Sequence, residues 1–254
     1  MFLKKKIIFH QTKIKNKIKF ELRKIGILSF PGIAQDICIG DGIEVGALSY
    51  PARLPKANKI LYADVGDKQK TKQQFKDLGY KGYIGKHVDV DIFFGQDKPP
   101  LEKQPDCSVD FIYSNNSLEH SANPISTLID YLRVVKKGGI VYTIIPNKEK
   151  TYDKNRLTTN ISVLIDKYNK NIWSYSLDEF KELYENTIDH EVYRNKHIEN
   201  IKSEWKRNSG LHHIHTFDLK LTSEIVSFIT KYPNYNLRYF TNHEKDIHFA
   251  LVKE

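Results

Sequence analysis

The feature that most constrains the fold is the regular alternation of short apolar segments with helical patterns beyond residue 40. Seven segments have the composition of β-strands: GIEV (42–45), KILYADV (59–65), YIGKHVDVDIFF (83–94), SVDFIYSNN (108–116), GIVYTIIP (139–146), YNLRYFTN (235–242) and DIHFALVKE (246–254). Strands separated by helices predict a mostly parallel sheet with helices on both faces. We therefore predict an α/β, Rossmann-like fold with a seven-stranded sheet.

The helix between the fourth and fifth strands has clear end signals. Asn123 is a good N-cap, and Pro124 occupies the first helical position. Lys136 and Lys137 suit a last helical turn, and Gly138 suits a helix end. We therefore predict a helix that ends at Gly138, followed by a central strand. Two further helices are predicted at 68–80 and 217–230.

The pattern changes between residues 146 and 215, where helical signals replace the alternation. Ser176 and Glu179 form a capping-box sequence before an apolar stripe. We interpret 146–215 as a helical insertion after the fifth strand that caps the acceptor site. The predicted organisation is a basic helical segment at 1–30 and one catalytic domain at 31–254.

Charge is concentrated at the N-terminus, where residues 1–24 carry nine basic side chains and one acidic side chain, +8 of the total +9. Ile14, Ile18 and Leu22 recur there at helical spacing. We favour a helix packed on the domain over contact with a membrane surface. Because the remaining chain is nearly neutral, we expect no nucleic-acid partner.

Other bulk features suggest a cytoplasmic protein. No run of about 18 apolar residues is present, so we expect no membrane span. The two cysteines, Cys38 and Cys107, fit neither a metal spacing nor a disulfide framework. We expect both to be reduced and buried as small apolar residues.

The glycines at 40–51 raise the question of a nucleotide loop. Only Gly46 follows the first strand, so the loop lacks the further glycines that a dinucleotide pyrophosphate needs. Asp64 ends the second strand 18 residues later, close to the spacing of a ribose-binding acid. This combination favours an adenosine cofactor without a pyrophosphate, namely S-adenosylmethionine.

Five segments of the chain resemble a known protein family. The segments IEVGALSYP, ILYADV, HVDVDI, SVDFIYSNNSLEHSANP and LRVVKKGGIVYTIIPNKEKTYDKNRLTT are similar to class I S-adenosylmethionine-dependent methyltransferases. More narrowly, they resemble methyltransferase-domain proteins encoded with bacterial surface-polysaccharide (capsule) genes. The resemblance implies an enzyme that methylates a small sugar-linked, phosphate- or phosphoramidate-containing acceptor.

The resemblance and the strand ends together assign site residues. Cofactor-binding positions are expected at the carboxyl ends of the strands: Glu44, Gly46, Ala47, Leu48, Asp64, Val65, Asp89 (after the third strand), Asn115 and Asn116. The resemblance also implies that Asp153 and Arg156, in a D-x-x-R-x-x-T signature, face the acceptor. Two interpretations of Arg156 stay open: a pairing with an anionic acceptor, and an ordinary surface salt bridge.

Methyl transfer to a hydroxyl needs a base, and histidine suits that role near neutral pH. The candidate bases are His120, His213 and His215. No carboxylate is interleaved in LHHIHTF (211–217), so we expect no metal. SNNSLEH lacks the prolines of amino-directed DNA methyltransferases, which favours an oxygen acceptor. Two alternatives stay open: a nicotinamide-dependent oxidoreductase and a non-catalytic cofactor-binding protein.

Overall fold

The computed structural model describes residues 33–47, 51–66, 69, 73, 88–187, 201–203, 205 and 212–254. The basic segment at 1–30 and most of the helix predicted at 68–80 lie outside these residues. The strands are β1 (Gly40–Val45), β2 (Ala57–Asp64), β3 (Ile92–Phe93), β4 (Val109–Asn115), β5 (Val135–Pro146), β6 (Tyr235–His243) and β7 (Asp246–Lys253).

The seven strands form one sheet in the order β3-β2-β1-β4-β5-β7-β6. The pairs from β3 through β5 are parallel, and β7 is antiparallel to both of its neighbours. The chain reverses its lateral direction after β3, when β4 returns to pair with the other side of β1. The predicted mostly parallel, seven-stranded α/β sheet is therefore confirmed.

The helices are α1 (Ala34–Ile37), α2 (Pro124–Val134), α3 (Ile161–Asn169), α4 (Leu177–Asn186) and α5 (Leu219–Ile229). Apolar side chains of α2, α3 and α5 pack on one face of the sheet, where Leu128, Leu164 and Ile225 are almost fully buried. A second cluster, which includes Cys38, Phe111 and Tyr142, lies with α1. Among the described residues, no helix has both the length and the apolarity needed to cross a bilayer.

Helix α2 begins as predicted and ends earlier than predicted. The Asn123 side chain accepts a hydrogen bond from the N–H of Ser126, and Pro124 is the first helical residue. The helix stops at Val134, and Lys136 and Lys137 belong to β5, so the predicted end at Gly138 is wrong. The reason is that the chain already pairs with β4 from Val135 onward. The register of that pairing shifts at a bulge before Ile140, and Gly138, at φ +76°, lies in the bulge.

The third strand is also placed differently from the prediction. Within the described residues, 88–90 have no regular structure and β3 contains only Ile92 and Phe93. Asp89 therefore precedes the strand instead of following it, and its side chain is exposed. The position expected beside the adenine is a surface position in this fold.

Helices α3 and α4 lie between β5 and α5, within the segment predicted as an insertion. The capping box at the start of α4 is confirmed: the Glu179 N–H donates to Oγ of Ser176 at 3.1 Å, and the Ser176 N–H donates to Oε2 of Glu179 at 2.7 Å. Phe180 and Leu183 on α4 belong to a small apolar cluster that includes Ala122, from the loop after β4. This cluster attaches the segment to the sheet.

The two cysteines differ in burial. Cys38 is fully buried, as predicted, and burial raises the pKa of its thiol to about 12. Cys107 is exposed, in a turn at φ 53°, so the prediction of a buried residue is wrong there. Nζ of Lys253 lies 3.2 Å from its sulfur.

Candidate active site

A cleft opens at the carboxyl ends of β1, β2 and β4, where a parallel sheet places its ligand site. Six of the predicted site residues line this cleft: Gly46, Asp64, Val65, Asn116, His120 and His213. Other lining residues come from the loop after β3, from α2, and from the segments that follow β5 and α3. They include Phe94, Gln96, Lys98, Ser117, Tyr131, Tyr152 and Trp173. The cleft thus joins the predicted cofactor residues to two of the predicted bases.

Gly46 lets the first turn approach the turn after β4 closely. Its φ is +76°, and a Cβ built on it would lie 2.9 Å from Cβ of Ser117, closer than carbon atoms pack. Its N–H donates to the carbonyl of Ala63 at 3.0 Å. A side chain here would both strain the backbone and fill the space between the two turns. The missing side chain lets the turn after β1 pack directly against the turn after β4 at the cleft.

Asp64 lies at the end of β2, level with Gly46, because Val45 pairs with Ala63. The side chain is largely buried, with 5% of the residue exposed, and its Oδ1 accepts the N–H of Val65 at 2.7 Å. That hydrogen bond fixes the carboxylate at the edge of the cleft. A carboxylate there can accept hydrogen bonds from a ribose diol, so Gly46 and Asp64 fit an adenosine cofactor.

Four other predicted cofactor residues that the structure describes are not among the residues that line the cleft: Glu44, Ala47, Asp89 and Asn115. Ala47 is buried, Asn115 is the last residue of β4, and Asp89 is exposed away from the site. Leu48 lies outside the described residues. Glu44 lies within β1 beneath the loop.

Glu44, within β1, is buried and hydrogen-bonded to the chain that returns from the loop after β1. It is 1% exposed, and its Oε1 accepts the N–H of Ala52 at 2.8 Å. Burial raises the pKa of Glu44 to about 8, and the hydrogen bond from Ala52 opposes that rise. Glu44 therefore holds the returning end of the loop after β1 instead of contacting a ligand in the cleft.

Two histidines, His120 and His213, contact each other in the lining of the cleft. His120 comes from the single 3-10 turn after β4 (Leu118–His120), and His213 comes from the segment before α5. Their ring centroids are 4.9 Å apart, and the rings are nearly perpendicular, at 81°. Tyr152 stacks on His213 with a centroid distance of 5.0 Å. These contacts hold both imidazoles against the cleft.

Hydrogen-bond partners fix the tautomer of each imidazole. Nδ1 of His120 lies 3.0 Å from the carbonyl oxygen of His212, which can only accept, so this nitrogen carries the proton. Nδ1 of His213 lies 2.7 Å from Oδ2 of Asp153 and donates to that carboxylate. In the neutral rings, Nε2 of both residues is consequently a bare acceptor. The pKa of His120 is held well below its ordinary value, mainly by burial and also by His213.

Asp153 and Arg156 lie behind His213 instead of lining the cleft. The Arg156 guanidinium bonds Oδ1 of Asp153 at 3.1 Å and Oε2 of Glu182 at 2.7 Å, and it also donates to the carbonyls of His213 and Ile214. Burial raises the pKa of Asp153, but the hydrogen bond and charge of His213, with Arg156, outweigh it and keep this pKa below its ordinary value. Arg156 positions the segment that carries His213.

Glu119, which was not predicted from the sequence, completes the cluster. Its side chain is fully buried, and its Oε1 lies 3.7 Å from Nε2 of His213 and 3.8 Å from Nε2 of His120. Neither carboxyl oxygen has a hydrogen-bond partner within the described part of the chain. Burial raises the pKa of this carboxyl to about 7, against the opposing charge of His213.

His215 is not brought to the cleft. It is 2% exposed and lies beside a second depression, together with Lys167 and Glu179. Burial, and then the charge of Lys167, lower the pKa of His215 to about 4. Its backbone N–H donates to the carbonyl of Glu119 at 3.2 Å, so it supports the loop that carries His120.

Tyr175 connects the helical segment to the cleft. Its hydroxyl donates to the carbonyl of His120 and lies 2.9 Å from Oε1 of Gln96. The carbonyl of Tyr175 in turn accepts the indole N–H of Trp205 at 2.8 Å. These bonds tie the walls of the cleft to the segment between β5 and α5.

Comparison with known proteins agrees with this geometry. Residues 83–143 match the family described as "Methyltransferase domain". The chain contains a methyltransferase domain. The matched range contains β4 and α2 with Asn116 and His120, the centre of the cleft. No curated protein sequence matches the chain.

Solved structures with a similar fold include methyltransferases. A protein of Methanosarcina mazei titled as a SAM-dependent methyltransferase is 12% identical, with a TM-score of 0.43, over 89% of this chain and 99% of that one. A second similar structure is an O-methyltransferase of neocarzinostatin biosynthesis in complex with S-adenosylmethionine and 2-hydroxy-5-methyl naphthoic acid. It is 10% identical, with a TM-score of 0.44, and the match covers 96% of this chain and 57% of the O-methyltransferase. The CurJ carbon methyltransferase is 13% identical, with a TM-score of 0.40 over 84% of this chain, and this chain spans 48% of its length.

All three TM-scores lie below 0.5. The assignment therefore depends on the sheet order and on the matched segment. The sheet, with one antiparallel strand next to its edge, is the Rossmann-like methyltransferase fold. The matched segment and the sheet order both support the predicted S-adenosylmethionine-dependent methyltransferase, with S-adenosylmethionine as its cofactor.

Proposed function

We propose that the protein transfers a methyl group from S-adenosylmethionine to an oxygen atom of a small acceptor. The observation that supports this proposal most is that one cleft is lined both by Gly46 and Asp64 and by His120 and His213. The first pair suits the adenosine half of the cofactor. The second pair suits an acceptor that must lose a proton.

The cofactor end is assigned by its donor and acceptor atoms. The Asp64 carboxylate would accept the ribose hydroxyls, and the methionine portion would lie against the Gly46 backbone, which lines the cleft. When bound, S-adenosylmethionine supplies a methyl group on a positively charged sulfur, so that the acceptor oxygen forms the new bond to carbon while the electron pair of the broken S–C bond stays on sulfur.

The acceptor end contains the proton acceptor. Nε2 of His213 is bare because Nδ1 donates to Asp153, and an ionised Asp153 stabilises the imidazolium that forms when His213 takes the hydroxyl proton. His120 is less basic because its pKa is lowered. We therefore narrow the three candidate bases to His213, with His120 beside it and His215 behind the loop.

We further propose a sugar-linked acceptor, with a phosphate or phosphoramidate group, in capsule or surface-polysaccharide biosynthesis. The support is the sequence resemblance, together with Lys98 in the lining of the cleft. Arg156 is buried between Asp153 and Glu182, whereas Lys98 lines the cleft and, among the described residues, pairs only with the exposed Glu102, at 3.2 Å, so Lys98 is the better candidate for an anionic acceptor. We propose the cytoplasm as the location and the segment between β5 and α5 as the acceptor cap.

Titration calorimetry tests the cofactor assignment. We expect S-adenosylhomocysteine to bind and NAD not to bind, because the loop at Gly46 does not suit a pyrophosphate. Asp64→Asn keeps an oxygen that can accept the Val65 N–H and removes the charge that two ribose hydroxyls would share. At about 1.5–3 kcal/mol for each charge-assisted hydrogen bond, affinity should fall by at least tenfold. Binding of NAD alone, or an unchanged affinity in Asp64→Asn, would contradict the assignment.

Separate measurements of binding and turnover test the base, once a methyl acceptor has been found by screening hydroxylated sugars and sugar phosphates. His213→Gln should keep the affinity for S-adenosylhomocysteine and lose about 10²–10⁴ in turnover. His243→Gln is the matched control, because His243 is an exposed histidine on β6, outside the cleft. Normal turnover by His213→Gln would refute the role of His213.

A further inference from the structure

We propose that Glu119, His120 and His213 form a binding site for a divalent first-row transition-metal ion at the wall of the cleft. One oxygen of Glu119 and Nε2 of each histidine would be the ligands. These three atoms lie within 4.8 Å of one another. The sequence argued against a metal because the histidines near 213 have no carboxylate beside them, but the fold brings Glu119 from the loop after β4.

The strongest observation is the lack of any donor among the three atoms. The Nε2 atoms of His120 and His213 carry no proton, because in each ring Nδ1 carries it and donates it to an oxygen. The carboxylate of Glu119 accepts no hydrogen bond from the described residues. The separations of 3.7 and 3.8 Å are too long for a proton shared between Glu119 and either ring. The Glu119 carboxylate is buried and the two histidines are half-buried, so a cation placed among these three acceptors would supply the partner that the buried carboxylate lacks.

The separations also match the size of such an ion. With metal–ligand bonds of about 2.0–2.2 Å, two ligands of a tetrahedral ion lie about 3.4 Å apart. The two distances from Glu119, 3.7 and 3.8 Å, need to close by a few tenths of an ångström, and the third separation, between the two Nε2 atoms, is no more than 4.8 Å. Two imidazoles and one carboxylate suit zinc, iron, cobalt or manganese, whereas magnesium prefers oxygen ligands.

The surroundings of the cluster resemble the outer shell of a metal site. In metal sites, the second nitrogen of a ligating histidine donates to a carboxylate or a backbone carbonyl. Here His213 donates to Asp153 and His120 donates to the carbonyl of His212. Arg156 holds the backbone of His213, and Tyr175 holds that of His120, so both ligands are fixed before an ion arrives.

The consequence for catalysis rests on the proposed function. His120 and His213 line the cleft, so the remaining coordination positions of the ion would face the acceptor. A hydroxyl bound there would become more acidic, and its proton would pass to solvent water. In the metal-bound protein the ion would replace His213 as the group that activates the hydroxyl, and in the metal-free protein His213 would take the proton directly.

Titration of the chelator-treated full-length protein with Co²⁺ tests binding without any need for activity. We expect one equivalent to bind, with visible absorption bands of a tetrahedral or five-coordinate ion, and Zn²⁺ but not Mg²⁺ to displace it. Glu119→Gln, His120→Asn and His213→Asn should each weaken binding by at least tenfold. Asp153→Asn, which leaves the ligands in place, should weaken it by about 10–100-fold.

His243→Asn is the control and should bind Co²⁺ like the wild type. Thermal unfolding and the affinity for S-adenosylhomocysteine show whether each variant is folded, and the four cluster variants give four independent readings. The inference is overturned if the wild type gives no Co²⁺ bands, or if the folded variants bind as tightly as the wild type. Co²⁺ binding without S-adenosylhomocysteine binding would instead refute the proposed function and leave the metal site standing.

Discussion

Replacing Glu44 with glutamine should change how the stability of the protein depends on pH. Glu44 is 1% exposed, and burial raises the pKa of its carboxyl from 4.5 to about 8. Between these two pH values the folded protein retains a proton that the unfolded chain has released. The free energy of unfolding of the wild type therefore falls as pH rises through this window.

The size of the effect follows from the shift. Each pKa unit corresponds to about 1.4 kcal/mol, so the contribution of Glu44 changes by roughly 3–4 kcal/mol between pH 5 and pH 8. Glutamine does not titrate, and its side-chain oxygen can still accept the N–H of Ala52. Its amide group adds donors that have no assured partner, at a cost of about 1–3 kcal/mol that does not depend on pH.

Urea unfolding of both proteins at several pH values between 5 and 8 gives the comparison. Raised pKa values of about 7 for Glu119 and about 6 for Asp246 also tilt the wild-type curve, but both groups remain in Glu44→Gln and cancel in the difference. We expect the variant to be the less stable protein at pH 5 and to gain on the wild type as pH rises. A difference that stays constant from pH 5 to pH 8 would refute the assignment of a buried, protonated Glu44.

Three further predictions concern other parts of the chain. Gly46→Ala should lower stability by about 1–3 kcal/mol and weaken cofactor binding, because φ is +76° and Ser117 leaves no room for a Cβ; unchanged calorimetric affinity would contradict this. Ser176→Ala should lower the free energy of unfolding in urea by about 1 kcal/mol, because it removes the cap of α4. Ser162→Ala, on the exposed side of α3, is the comparison variant and tests whether the loss of any serine hydroxyl in this region has the same effect. Removal of residues 1–24 should lower stability without abolishing turnover, and salt-sensitive binding of the intact chain to anionic vesicles would favour the membrane alternative.

The sheet was predictable because its signals are local. Apolar runs bounded by turns marked the strands, and the cap at Asn123 and the capping box at Ser176 marked two helix starts correctly. The end of α2 was not predictable in the same way. Lys136 and Lys137 suit a helical turn, but pairing with β4 extends the strand through them and turns Gly138 into part of a bulge. Tertiary pairing outweighed a local preference.

The cofactor end of the cleft followed from the sequence better than the acceptor end did. Gly46 and Asp64 end adjacent parallel strands, so their proximity is a property of the sheet. Glu119 was missed although it precedes a predicted site residue, because its partner His213 lies 94 positions further along the chain, beyond the helical segment. Sequence spacing carries no information about such a contact. The family resemblance implied that the D-x-x-R signature faces the acceptor, but its charged groups pair with each other, with Glu182 and with His213.

The separation of His213 from His215 shows what local geometry adds. In an extended strand, residues two apart point to the same side, which would place both imidazoles in the cleft. Here the N–H of Ile214 donates to the carbonyl of His212 at 2.9 Å, which makes a three-residue turn with His213 at its centre. That turn presents His213 to Glu119 and the cleft, while His215 lies with Lys167 on the other side. The same carbonyl accepts Nδ1–H of His120, so one backbone oxygen both forms the turn and sets the tautomer of the second imidazole. Because the turn and the tautomer depend on a single peptide group, any change that extends this segment would turn His213 away from Glu119 and also remove the acceptor of the His120 Nδ1–H.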